Sequence, residues 1–247
     1  MAKITPKKLA QLLAAARTTA RGVNPEHAQQ QFFEALLDAT VYAHVPVGSP
    51  PRGVMRFIQF IRPDNGQTAL PFFSDKGQAE AAANNTVLVV AMPGRHLFDL
   101  TRGALLMLNP NVDAIALYPP EVTALLEGRP LGSFTMGEMP AQTEFLVEPP
   151  SVSTVALNMI LRNLFEKEAT VKTAFLTELH REDDSAAVIL LLTIVAAKAQ
   201  QERLLQLVTL AFKTEALELA LPLDMRFLAP DESLDQICNR GVQIFGT

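Results

Sequence analysis

The sequence contains few of the residues that build thiol and metal chemistry. Its 247 residues include one cysteine, Cys238, four histidines and no tryptophan. A single cysteine cannot form an intramolecular disulfide and excludes thiolate-rich zinc and iron–sulfur sites. The four histidines, His27, His44, His96 and His180, are never three or four residues apart, so no helix presents a histidine pair to a metal. We therefore expect no metal and no cofactor, and regard a composite metal site assembled by the fold as the less favoured alternative.

A hydrophobic run long enough to cross a membrane is also missing. The most apolar stretch, residues 186–197, has twelve residues, whereas a membrane-spanning helix needs about 20. The apolar segment near the N-terminus is interrupted by Gln11 and ended by Arg17, which is typical of an amphipathic surface helix rather than a signal peptide. With one cysteine and no export signal, we expect a cytoplasmic protein without a transmembrane segment.

Motifs for nucleotide binding and nucleophilic catalysis are absent as well. No G-x-G-x-x-G follows a predicted strand, and neither the P-loop pattern nor the G-x-S-x-G pattern of serine hydrolases occurs. Acid–base or nucleophilic catalysis needs a titratable group beside a partner, and no local spacing supplies one. We therefore assign no catalytic residue and favour a protein that is not an enzyme.

What the sequence does contain is typical of a globular protein with two domains. Hydrophobic residues make up 49%, charged residues 19%, and the net charge is −5. Residues 131–142 contain glycine and proline without periodicity, which indicates a linker. We predict an N-terminal basic helix (1–22), a first domain (23–130), this linker, and a second domain (143–247).

Predicted helices and strands alternate irregularly in both halves. In the first half, Asp64-Asn65-Gly66 separates two strand-like segments, 54–61 and 67–73, and predicts a hairpin. In the second half, segments 171–179 and 186–195 flank an acidic turn. This order favours an α+β fold in which each domain has a mixed or antiparallel sheet with packed helices, preceded by an N-terminal helical extension.

Two of the helices predicted in the second domain have assigned caps. The first is capped by Ser151 or Ser153 and is expected to bury one stripe of residues, made up of Val152, Val155, Ala156 and Met159. The second is short and capped by Asp231, and it places Cys238 where a small buried hydrophobic residue belongs. Core packing is therefore the favoured role of Cys238 over a reactive thiol.

Four stretches of the sequence together carry a family resemblance. They are the strand end Leu-Pro-Phe-Phe-Ser-Asp at 70–75, the aliphatic strand with its Asn-Pro turn at 104–110, the helix at 118–128, and the closing segments within 221–245. These stretches resemble the SseB family (enhanced serine sensitivity protein B) over residues 25–247. The resemblance implies N-terminal and C-terminal SseB domains, with the first helix outside the family core. It also implies a bacterial cytoplasmic protein whose family name records serine sensitivity, without an established active site.

The cluster that most resembles a ligand site follows Pro93-Gly94. Its residues can line a small pocket for an anion or amino acid at a helix N-terminus, and they are Arg95, His96, Asp99 and Arg102, with Asn109 and Asp113 completing the site. The alternative is a solvated helix start in which Asp99 and Arg102 form an i, i+3 ion pair. The local spacing favours this alternative.

Basic residues are concentrated at the N-terminus. Residues 1–22 contain no acidic residue and five basic ones, Lys3, Lys7, Lys8, Arg17 and Arg21, whereas the remainder carries a balance of −10. Such a helix can bind an acidic partner or anionic lipid, or it can dock on its own domain through Leu9, Leu12 and Leu13. The sequence leaves these two interpretations open. No aromatic residue lies between the basic ones, which disfavours nucleic acid as a partner.

These observations predict a cytoplasmic, non-enzymatic binding or scaffold protein. The sequence does not identify the protein partner, and self-association into a homo-oligomer stays open. The alternative function is a small-molecule (amino-acid-like) binding protein or weak enzyme with its site in a cleft between the two domains.

Overall fold

The computed structural model describes residues 4–19, 25–48, 55–131, 145–181 and 188–246. The chain divides into two compact units, residues 1–133 and 134–247. Each unit contains a mixed sheet and several helices, so the predicted α+β fold with two domains is confirmed. The boundary between the units falls within the predicted linker, of which residues 132–142 lie outside the described residues.

The first unit is a mixed sheet with helices. In chain order its elements are α1 (Pro6–Thr19), α2 (Pro25–Asp38), β1 (Thr40–Val45), β2 (Phe60–Ile61), β3 (Thr68–Phe73), α3 (Lys76–Ala83), β4 (Leu88–Pro93), α4 (Gly94–Leu100), β5 (Leu106–Leu108), β6 (Ile115–Leu117) and α5 (Pro119–Leu126). The strand order is β4-β1-β3-β5-β6, with β2 also paired to β3. The β3–β5 pair is parallel and the other pairs are antiparallel.

The hairpin predicted around Asn65-Gly66 is present. Strands β2 and β3 pair antiparallel, with Phe60 opposite Ala69. Gly66 has φ +72°, the left-handed backbone region that this kind of turn requires. The first strand of the hairpin is shorter than predicted, because residues 55–59 do not belong to a strand.

Helix α1 docks on the first unit through its apolar face. It packs against α2, and its Leu9 and Leu13 are buried while Leu12 is half-buried. The Thr5 hydroxyl accepts a hydrogen bond from the backbone N–H of Lys8 (3.3 Å), which is the N-cap that Thr-Pro predicts. Of the two roles that the sequence left open for this face, the structure supports docking on its own domain.

Both faces of the first sheet are covered by helices. On one face, Nε2 of the buried His44 lies 2.8 Å from the carbonyl oxygen of Ala79 in α3. On the other face, the ring of Phe72 in β3 meets Phe98 of α4 edge to face, with centroids 5.6 Å apart, a favourable aromatic geometry. This two-sided cover explains why every β3 side chain except that of Thr68 is buried.

The second unit has the same general architecture. In chain order its elements are β7 (Phe145–Glu148), α6 (Val155–Phe165), β8 (Val171–Arg181), β9 (Val188–Ala196), a short 3₁₀ turn (Lys198–Gln200), α7 (Gln201–Thr214), β10 (Leu223–Leu228), α8 (Gln236–Arg240) and β11 (Val242–Phe245). The strand order is β10-β9-β8-β11, with β7 also paired to β8. Strands β9 and β10 are parallel, and β8 and β9 form the predicted antiparallel hairpin.

The predicted buried stripe of α6 is wrong within the helix, although Val152, just before the helix, does pack against the core of the second unit. Val155 and Met159 are 66% and 61% exposed, whereas the buried residues are Leu157, Leu161 and Phe165. Helix α6 carries apolar side chains on two faces, and only one of them packs on the sheet. Two leucines and a phenylalanine bury more apolar area than a valine, an alanine and a methionine, so the first set is the one turned inward.

Two predicted helix caps are also wrong. The residue before α6 is Thr154, which makes no side-chain cap, and Ser151 instead donates to the carboxylate of Glu178. Helix α8 is capped by Asp235, whose carboxylate accepts the backbone N–H of Cys238 at 3.1 Å, and not by Asp231. Asp235 also forms an ion pair with Arg226, which holds its carboxylate at the cap position. Cys238 is buried, as predicted.

Candidate functional site

The structure places four residues of the predicted ligand cluster on the exposed face of α4 and just after that helix. Arg95, His96 and Asp99 lie on α4 with exposed side chains. Nη2 and Nε of Arg102 donate to Oδ1 of Asp99 at 2.8 and 3.0 Å, which is the ion pair that the i, i+3 spacing predicts. Arg95 donates to the carbonyl oxygen of Leu126 at 3.2 Å. A ligand role for these four residues stays a prediction.

Asn109 and Asp113 form a second group, which holds the turn after β5. Asn109 is buried with φ +45°. Its Oδ1 accepts the backbone N–H of Ser74 (3.0 Å), and its Nδ2 donates to the Ser74 hydroxyl (2.9 Å) and to Oδ2 of Asp113 (2.5 Å). These bonds tie the turn to the end of β3. Asn109 is bonded on both its oxygen and its nitrogen, which supports a structural role, and a ligand role for Asn109 and Asp113 stays a prediction.

The basic residues of the N-terminal helix are only partly described. Lys7 and Lys8 lie on α1 with exposed side chains. Lys3, Arg21 and the side chain of Arg17 lie outside the described residues. A role of this basic group in binding a partner stays a prediction.

In the second unit, a buried carboxylate lies near the start of α6. Oε2 of Glu178 accepts hydrogen bonds from the backbone N–H (2.8 Å) and hydroxyl (2.7 Å) of Ser151, and Oε1 lies 2.9 Å from Nε2 of His180. Burial raises the pKa of Glu178, but the contacts to Ser151 and His180 outweigh it, so the pKa lies below its usual value. The carboxylate stands between the hydroxyl and the imidazole. His180 is therefore not placed to take the proton of Ser151, as nucleophilic catalysis would require.

A second charged group joins β10 to α8. Nη1 and Nη2 of Arg226 donate to Oδ2 and Oδ1 of Asp235 at 2.6 and 2.8 Å, and Nε donates to the hydroxyl of Thr193 at 2.8 Å. These side-chain hydrogen bonds hold the pKa of Asp235 well below its usual value. Burial raises the pKa of the Cys238 thiol beside them, which disfavours the reactive thiolate form.

An open groove runs between α6 and the end of α7. It has a volume of about 540 Å³. Its apolar lining is made up of Ala156, Met159, Ile160, Leu164, Ala211, Ala216 and Leu217, and its polar lining of Asn163, Lys167, Glu215 and Glu218. The exposed Val155 lies one turn before Met159 on α6. We call Val155 and Met159, together with this lining, the α6 surface.

Sequence reasoning missed the α6 surface because it assigned Val155 and Met159 to the core. The signal that could have found it is the pattern of α6 itself. Apolar residues at 155 and 159 alternate with apolar residues at 157 and 161, and these pairs lie on different faces of a helix. A helix with two apolar faces on one sheet leaves one of them uncovered.

Within the described ranges, neither a metal-binding cluster nor a membrane-spanning helix is present. Among the residues that the structure describes, no group of three histidine, cysteine or acidic side chains is placed to hold a metal ion. In the same parts of the chain, no helix is both long and apolar enough to cross a bilayer.

Comparison with known proteins identifies the family. The model of the SseB protein N-terminal domain matches residues 9–124. The chain is 30% identical over 187 residues to Protein SseB of Escherichia coli (strain K12), which covers 71% of the chain and 67% of that relative. Protein SseB of Shigella flexneri matches with the same identity and coverage. No solved structure matches the chain.

The family match begins earlier than the sequence stretches suggested. It starts inside α1, whereas we expected the likeness to begin near residue 25, after the first helix. The packing of α1 explains the difference, because the buried Leu9 makes this helix part of the first unit's core. The domain match and the identity to the two relatives together show that the chain belongs to the SseB family.

Proposed function

We propose that this protein is a non-enzymatic binding protein that recognises a protein partner through the α6 surface. The observation that carries the proposal is the exposure of Val155 and Met159, two large apolar side chains one turn apart on one helix face. Large apolar side chains grouped on a surface are typical of interaction sites, whereas single ones are ordinary.

The composition of the α6 surface supports a protein partner. Its centre is aliphatic, with Met159, Ile160 and Leu164, and charged residues lie at its margin. A dry apolar centre surrounded by charged residues is the usual arrangement of protein interfaces. Methionine in particular adapts its shape to a partner.

The use of the ionisable side chains supports a role without chemistry. Glu178 and Asp235 have lowered pKa values, and a perturbed pKa is often the mark of an active site. Here both carboxylates accept hydrogen bonds from groups of the fold: Glu178 from Ser151, and Asp235 from Arg226. We propose that these carboxylates stabilise the second unit. We also propose that the protein acts in the cytoplasm, which is consistent with its single buried cysteine.

The proposal is tested by site-specific photo-crosslinking in the native host. A photoreactive residue is placed at position 159 in the full chain, with Val112 of the first unit, 67% exposed, as the matched control position. We expect a protein that crosslinks from position 159 and not from position 112. Equal crosslinking patterns at both positions would contradict the proposal.

The crosslinked protein is then purified and its affinity measured directly. We expect the double variant Val155→Asp/Met159→Asp to bind at least about tenfold more weakly, since charges at the centre of an interface are costly. Val112→Asp should bind as the parent chain does. Unchanged affinity of the double variant would remove the α6 surface from the function.

A melting experiment separates this function from amino-acid binding. A ligand that binds the native state raises the melting temperature, and we expect no amino acid in a panel to do so. A rise selective for one amino acid, abolished in Arg95→Ala/His96→Ala, would favour the small-molecule function instead.

A further inference from the structure

We infer that the partner segment is an amphipathic α-helix with basic residues beside its apolar stripe, and that it lies along the groove between α6 and the end of α7. This inference rests on the proposed function and specifies the chemistry of the segment that the α6 surface receives.

The shape of the groove fits an elongated segment. Its residues on α6 lie at positions 156, 159, 160, 163 and 164, and Lys167 follows just after the helix; this spacing of three and four follows one face along the helix. Helix α6 has 11 residues, which corresponds to a length of about 16 Å. The groove is open along this length, because Ala156, Met159, Asn163 and Lys167 are exposed. An occupying helix of about three turns matches it.

The walls of the groove favour a helical occupant over other peptide conformations. Addition of an extended strand needs a sheet edge, and polyproline recognition needs aromatic rings. The groove is lined by α6, α7 and the turn after α7. None of its lining residues belongs to a strand, and none is aromatic. The mode that remains is an amphipathic helix whose apolar anchors enter an aliphatic groove.

The wall formed by the end of α7 has a defined backbone. The N–H of Ala216 donates to the carbonyl of Lys213, and the N–H of Leu217 donates to the carbonyl of Phe212 at 3.1 Å, the two bonds of a Schellman helix end. Ala216 occupies its left-handed position with φ +47°. Leu217 packs against the core cluster of the second unit. The wall is therefore pre-organised, which lowers the entropic cost of binding.

The charges of the groove indicate a basic partner. Glu215 and Glu218 line the wall at the end of α7, and Lys167 lies at the end of α6; all three are exposed. Two acidic residues and one basic residue favour lysine or arginine on the side of the incoming helix that faces Glu215 and Glu218. Such rim charges set partner choice and association rate more than affinity.

A peptide selection tests the inference. A displayed library of random peptides of about 12 residues, a length of about three helical turns, is selected against the full chain. It is counter-selected against Ala156→Arg/Met159→Asp, whose substituted residues are both exposed, so the variant should keep the parent melting temperature. We expect enriched peptides with apolar residues at i, i+3 or i+4, and i+7, an excess of lysine and arginine, and helical circular dichroism on binding. Their affinity for the counter-selection variant should fall at least about tenfold.

A charge reversal tests the basic character. Glu215→Lys/Glu218→Lys should weaken the basic peptides and strengthen versions in which lysine is replaced by glutamate. Enrichment of proline-rich or extended peptides, or equal binding to the groove variant, would overturn the inference, as would a preference for acidic peptides. Concentration-dependent dimerisation of the parent chain that the groove variant loses would identify a second copy as the occupant and also overturn it.

The failures of the two proposals are distinguishable. If photo-crosslinking at position 159 yields a partner whose contacting segment is not helical, the helix inference fails and the protein-binding function stands. If position 159 yields no specific crosslink, the protein-binding function itself fails.

Discussion

At the scale of single residues, Arg226 links three elements of the second unit. Its guanidinium joins the edge strand β10 to α8 through Asp235 and to the neighbouring strand β9 through Thr193. Arginine suits this position because its planar fork bonds both carboxylate oxygens at once. Asp235 in turn caps α8, so one ion pair holds a helix start against a sheet.

This ion pair predicts a pH dependence of stability. The pKa of Asp235 is lowered in the folded protein, so the native state favours the ionised carboxylate and the pair stabilises the fold above the unfolded pKa, about 4. The contribution is lost as the pH falls through the lower folded value. We expect Asp235→Asn to be less stable than the parent chain in urea at pH 7, with the difference narrowing below about pH 4. Asp231→Asn, an exposed neighbour, is the matched control and should behave as the parent chain does at each pH.

At the scale of elements, α6 has two apolar faces with different roles. Leu157 and Leu161 pack on the sheet, whereas Val155 and Met159 face solvent. Burial rather than residue type therefore decides how much each side chain contributes to the stability of the unit.

A pair of alanine substitutions tests this difference. Leu161→Ala should lower the free energy of unfolding by about 2–5 kcal/mol, because it leaves a cavity in the core. Met159→Ala should change it by no more than about 0.5 kcal/mol, as is usual at exposed positions. Urea unfolding followed by circular dichroism measures both. A large loss in Met159→Ala would show that this face is covered in the folded protein.

The end of α7 predicts a stabilising substitution. Ala216 adopts a left-handed backbone conformation, which is unfavourable for a residue with a Cβ and free for glycine. We expect Ala216→Gly to raise the free energy of unfolding by about 1 kcal/mol. Ala211→Gly, within the same helix, should lower it by about 1 kcal/mol. A loss of stability in Ala216→Gly would contradict the assigned helix end.

The elements that could be predicted from the sequence are those with local signals. The Asn65-Gly66 signal predicts the hairpin of β2 and β3, and the predicted segments 171–179 and 186–195 overlap strands β8 and β9. Helix α8 begins later than predicted because two aspartates four residues apart are equally suitable caps. In the structure Asp235 accepts the N–H of Cys238 and also pairs with Arg226, a tertiary contact that local sequence does not reveal.

At the scale of the whole molecule, the fold class and family could be predicted but the α6 surface could not. The alternation of helices and strands is a property of the chain, and it indicates an α+β protein directly. The groove depends on how α6, α7 and the turn after α7 pack together, which local patterns do not describe. The α4 cluster combines arginine, histidine and aspartate, which predicts a ligand site. The structure places these residues on the exposed face of α4, where Asp99 forms an ordinary ion pair with Arg102.

The uncovered face of α6 has a consequence for how the protein is kept in solution. In a copy that has not bound the proposed partner, Val155 and Met159 are in contact with water, and such faces attract one another in concentrated solution. If the α6 surface binds a partner as proposed, we expect copies in excess of that partner to aggregate, and we expect the amounts of the two proteins to be matched in the cell. Co-production with the partner should accordingly give a higher yield of dispersed protein than production alone.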